Sequence, residues 1–174
     1  MESVEKRKAY NPIFRNTARM GLEQSDIDEV QKSWDIAKSA AKLREHGIGF
    51  FELLFKTYPD WREQFFGHLG TMPFAELKDT PKFRAHAGLV MSTLNFWVSN
   101  LDDIDLVVAS VQKTGRNHSG RGIKEEEFKK IGEVVLAYLK LGLKDAFTEE
   151  MSVGWTNLLA TVVTIIKAEN EKED

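Results

Sequence analysis

The last proline in the chain is Pro81, and the whole stretch from Lys82 to Asp174 can run as helix without meeting another. Proline removes a helical hydrogen bond and clashes with the preceding turn, and turn-rich β architectures use it often. Such a tract favours helices over strands, and its apolar residues agree. Phe83, Ala87, Val90, Leu94, Trp97 and Leu101 recur every three or four residues. So do Val107, Val111 and Thr114; Phe128, Ile131, Val135 and Tyr138; and Trp155, Leu159, Val162 and Ile166.

Helix starts can be placed from capping chemistry. Thr80-Pro81 sets a capping hydroxyl before a proline suited to the first helical position, and Thr148 precedes Glu149 and Glu150. Upstream, Ser25 with Asp28 three residues on predicts the start of a helix along Ile27, Val30, Trp34, Ala37 and Ala41. A second helix follows through Gly47, Phe50, Phe51, Leu54 and Phe55 and is closed by Pro59. Residues 65–80, with Gly67, Gly70, Pro73 and Thr80, are expected to be mostly loop, and a helix over 103–118 is broken by Gly120 and Gly122. The result is one all-α domain of about seven helices, with no repeat and no low-complexity segment.

Hydrophobic residues make up 42% and charged residues 29% of the 174, a balance that can build one core. The net charge of −3 gives no drive towards nucleic acid. Residues 1–20 are locally +3, through Lys6, Arg7, Lys8, Arg15 and Arg19 against Glu2 and Glu5. We expect a flexible basic arm over 1–22, in weak contact at most with a membrane surface, a folded domain over 23–168 and an acidic tail over 169–174. There is no cysteine, which excludes disulfides, zinc–thiolate sites and a thioether-linked cofactor. No secretory signal, myristoylation start or apolar run approaching a membrane span is seen, so a cytoplasmic protein is expected.

Histidines stand at 46, 68, 86 and 118. His86 shares the inward stripe of its helix with Phe83 and Val90, and His118 continues the face of Val107, Val111 and Thr114. A histidine at a helix C-terminus is favourable by itself, which is a purely structural account of His118. Two inward imidazoles 32 residues apart also suit a single iron held along one axis, and they make a poor zinc site without cysteine or paired carboxylates. On spacing alone both accounts stand. The run from Gly115 to Gly122 lacks the strand and the lysine–hydroxyl pair of a phosphate loop, and Glu125, Glu126 and Glu127 are a solvated helix start.

Taken together, these positions resemble the globins, most of all the neuroglobin and cytoglobin branch, from about Ile27 to Ile166. Glu45-His46-Gly47, Leu54-Phe55 and Pro59-Asp60 match in spacing; Phe65 lies six residues after Pro59, and His86 lies 21 after Phe65. Gly115-Arg116-Asn117-His118, Gly122-Ile123-Lys124, Ile131-Gly132-Glu133, Ala146-Phe147-Thr148 and Trp155 continue the match in register.

The resemblance implies a globin fold of about seven to eight helices around one haem pocket. It implies non-covalent haem b with His118 as proximal iron ligand and His86 as distal residue, itself able to ligate the iron. It places Phe51 on the distal side, Phe65 on the haem face, Val90 over the iron, and Ile123 and Phe128 on the proximal side. Two positions depart from the pattern. Leu89 stands where a basic residue often meets the propionates, leaving Arg121 and Arg84 as candidates, and Thr114 replaces a leucine, its hydroxyl expected to bond back to its own helix. His68 is expected near the haem edge or as an exposed loop residue, and His46 as structural. The implied function is reversible binding of oxygen, nitric oxide or carbon monoxide by a protein that is not an enzyme. The alternatives are a bis-histidyl redox or sensing protein, with nitrite chemistry and an electron donor or reductase as partner, and a cofactor-free interaction domain.

Overall fold

A helix begins where Thr80 precedes Pro81: the Thr80 hydroxyl accepts the Phe83 N–H at 3.4 Å, filling a donor that a helix start leaves open. The computed structural model describes residues 21–172. Within them lie eight α-helices and no strand. They are α1 (Gln24–Ala40), α2 (Leu43–Thr57), α3 (Trp61–Phe66), α4 (Phe74–Leu77), α5 (Pro81–Ser99), α6 (Ile104–Ser119), α7 (Glu125–Leu143) and α8 (Glu149–Asn170). Short 3-10 turns cover Gly67–Thr71 and Lys144–Ala146. Of the basic arm expected over residues 1–22, residues 1–20 lie outside the described residues. Leu22, placed in that arm by sequence, is buried in the core.

Three expectations are corrected. Ser25 does not cap α1; the cap lies two residues earlier at Glu23, whose N–H donates to the Asp26 carboxylate at 3.1 Å. Asp26, in the first turn, is buried and also accepts from Asn157 of α8 at 3.1 Å, which fixes this start. Residues 65–80 are not mostly loop, because Trp61 and Leu77 are drawn into the core and fold their short segments around them. There the Arg62 guanidinium donates to the Gly70 carbonyl at 2.6 Å. Finally, α8 is long and apolar enough by composition to cross a membrane, contrary to the expectation that no run approaches this. Here its Trp155, Leu158, Val162 and Ile166 are buried against the other helices.

The helices pack pairwise, α2 on α5 and α1, α6 and α7 on α8. The α2–α5 crossing depends on Gly47, where a Cβ would sit 2.1 Å from the Ala87 carbonyl oxygen. Trp155 of α8 is fully buried, and its indole N–H donates to the Ser33 hydroxyl of α1 at 2.7 Å, so one core joins both ends of the domain. Between α5 and α6 the side chains do not close over one another, and a cavity remains.

Candidate functional site

The α6 helix is capped by the Asp103 carboxylate, which accepts the Leu106 N–H at 3.2 Å, and its inward stripe delivers His118 to the last turn. His118 Nδ1 lies 2.8 Å from the Thr114 carbonyl oxygen. A carbonyl only accepts, so the proton sits on Nδ1 and Nε2 keeps a free lone pair. The Phe128 ring packs edge-on against this imidazole at 5.5 Å. Thr114 itself is quiet: its hydroxyl donates back to the Ser110 carbonyl at 3.0 Å, as expected.

Across the cavity α5 presents His86. Its ring lies 6.5 Å from that of His118, centroid to centroid, at 47° between planes. Phe51 of α2 and Phe66 at the end of α3 hold it from behind at 5.5 and 5.7 Å. Burial lowers the His86 pKa below its ordinary value, and its electrostatic neighbours His118 and Arg121 lower it further. Both effects favour the neutral imidazole, which has a lone pair to offer.

The cavity has a volume of about 620 Å³. All nine residues predicted to meet the cofactor lie on its wall: Phe51, Phe65, His86, Leu89, Val90, Thr114, His118, Ile123 and Phe128. Leu89 is at the mouth and 65% exposed. Arg121 lines the mouth and Arg84 does not. His68 is exposed and off the wall.

Sequence reasoning missed Phe66, Lys113 and Asn117. The last two stand four residues apart on α6, a spacing visible in the sequence beside Thr114 and His118, and Arg121 follows in the turn beyond the helix. The structural reading of His46 agrees with its position on the far side of α2, where it faces a second cavity and its Nδ1 meets the Tyr138 hydroxyl at 3.1 Å.

The two imidazoles define an axis. A metal–nitrogen bond of about 2 Å on each side, plus about 1.2 Å from each nitrogen to its ring centre, gives roughly 6.4 Å between centroids. The observed 6.5 Å leaves about that much room between the rings. Among the described residues no group of three or more His, Cys, Asp or Glu gathers to hold a metal. The wall around the two rings is mostly phenylalanine and aliphatic side chains, a lining suited to a large apolar ligand.

Helices crossing in pairs around an apolar cavity, with imidazoles facing each other over it, define an all-helical ligand-binding protein. The chain belongs to the globin family, whose sequence model matches residues 48–166. It is 31% identical over 144 residues to a globin of Tritia mutabilis, covering 82% of this chain and 97% of that protein. It is 29% identical over 143 residues to a neuroglobin of Dissostichus mawsoni, covering 82% and 88%. Among solved structures, a hexacoordinated haem protein from an anhydrobiotic tardigrade superposes with a TM-score of 0.77 at 21% identity, over 88% of this chain and 98% of that one. A double mutant of myoglobin from Aplysia limacina gives 0.73 at 22% identity, over 84% and 97%. At these identities the two structures speak to the fold.

Proposed function

We propose that the chain holds haem b non-covalently between α5 and α6, with His118 as proximal ligand and His86 as distal residue, and binds a diatomic gas reversibly. The observation that carries this reading is the 6.5 Å separation of the two imidazoles across an apolar cavity. The tardigrade protein named for hexacoordinated haem and the relatives named neuroglobins support it.

When bound, haem supplies an iron that takes oxygen, nitric oxide or carbon monoxide and exchanges single electrons. The chain's residues do the rest. His118 offers Nε2 while Thr114 holds its proton on Nδ1. His86 would offer its own lone pair in competition with an external ligand, and apparent affinity would then scale with the fraction of time that ring is away. Once withdrawn, its N–H is placed to donate to a ligand carrying partial negative charge, which Phe51 cannot do. Lys113 and Arg121 at the mouth are cations for the haem carboxylates, a role that exposed Leu89 cannot fill.

A second reading rests on the same separation. Were both imidazoles to hold the iron, one-electron exchange with a donor or reductase, or gas and redox sensing, would become the main activity. The test is the visible spectrum of the haem-loaded protein, reduced without oxygen. Two sharp bands that collapse to one broad band in His86→Leu support bis-histidyl ligation, and slow displacement by carbon monoxide then favours the redox reading. A single broad band in the unmodified protein favours direct gas binding. A protein that takes up no haem overturns both.

A further inference from the structure

Glu169 is charged, 7% exposed and in the last turn of α8, where the negative end of the helix dipole opposes a carboxylate. A helix gains nothing locally from an acid there. Its partners explain its place. One carboxylate oxygen accepts from the Arg116 guanidinium, and the other accepts from the Lys172 ammonium at 2.9 Å. Arg116 lies two residues before His118, about 200° around α6, so it reaches away from the cavity while His118 faces it.

The same turn is gripped at two more points. Gly115 lets α6 approach α8 so closely that a Cβ there would touch Ile166 at 3.4 Å. Across the corner, the Asn170 side chain donates to the Glu125 carboxylate at 3.0 Å, tying α8 to the first residue of α7. The end of α8 thereby holds both arms of the α6–α7 corner, whose Ile123 and His118 are on the cavity wall.

We infer that Glu169 is a positioning residue for His118: through Arg116 it fixes how the last turn of α6 presents the imidazole to the cavity. This rests on the haem reading above. With Arg116 partly exposed the pair contributes little net stability, yet it sets geometry by direction, because the guanidinium fork and the carboxylate meet in few orientations.

The test uses the full chain loaded with haemin, as Glu169→Gln, Arg116→Gln and both together. The iron–histidine vibration is recorded just after photolysis of the carbon monoxide complex, when His118 is the sole axial ligand, and haem loss to an excess of acceptor globin is timed. We expect each single variant to shift the vibration by several wavenumbers and speed haem loss roughly tenfold, the low end for residues supporting a metal ligand. The double variant should match the singles, because the effect passes through one pair. The vibration is read only on loaded protein, so loss of stability alone leaves it in place. An unshifted vibration, or a double variant with summed effects, overturns the positioning role. An unmodified chain that never acquires a haem spectrum overturns the reading beneath it instead.

Discussion

His118 owes its chemistry to one backbone oxygen, since the Thr114 carbonyl decides which ring nitrogen carries the proton. His86 is held by the rings of Phe51 and Phe66, which makes its placement a matter of packing. Phe66 touches His86 and also Phe51, Phe55 and Phe83. Truncation by Phe66→Ala should cost about 2–3 kcal/mol, less than a fully buried phenylalanine because the ring is only partly covered, and urea unfolding checks it. The same variant should blunt the contrast between native and His86→Leu spectra, because the ring loses its backing. Both histidines were legible in the sequence, since each continues a stripe of three- and four-residue spacing on its own helix. Phe66 was not. It adjoins Phe65 at the end of α3, where Gly67 takes a positive φ of 53°, and no helical period says where a side chain points at such an end.

Helices position these residues by how closely they can cross. At Gly47 the obstacle to a side chain is a backbone oxygen, which cannot rotate aside, so α2 and α5 would have to separate. Gly47→Ala should therefore destabilise by about 3 kcal/mol, read as a lower urea midpoint for the haem-free chain. A helix start gives a pH-dependent case. The Glu125 carboxyl is held below its ordinary value of 4.5 first by its own backbone N–H and then by the Asn170 side chain. The unfolded chain binds the proton more readily, so this contribution is complete above the ordinary value and disappears as pH falls through the lower, folded one. In Asn170→Ala the Glu125 titration followed by carbon-13 NMR should move back up towards 4.5. Helix starts at Thr80 and Thr148 were readable because hydroxyl caps depend on local sequence, and the Thr148 hydroxyl accepts the Met151 N–H at 3.3 Å. The start of α1 was misread at Ser25 because Asp26 is chosen by a partner on α8, 131 residues away. Over 65–80 the helical turns have no stripe of their own, since burial of Trp61 and Leu77 shapes them from outside.

At the scale of the molecule, α8 is the element on which the others converge. Trp155→Phe removes the bond to Ser33 and part of a fully buried ring, at about 2 kcal/mol. For a chain of this length that is roughly 4–8 °C in melting temperature, measurable by calorimetry. The α8 helix was also expected to stop short of residue 169, yet it runs through Glu169 and Asn170, both buried. Their burial depends on α6 and α7, and composition alone made them look like an acidic tail. The cavity bears on the chain's persistence. Whatever fills its 620 Å³ binds the folded chain and has no such site in the unfolded one. Above saturation, each tenfold rise in the free concentration of that ligand adds about 1.4 kcal/mol, or roughly 3–6 °C. Melting temperature then becomes a gauge of ligand supply, and wherever unfolded chains are degraded, the number of copies that survive follows how much of that ligand is on hand.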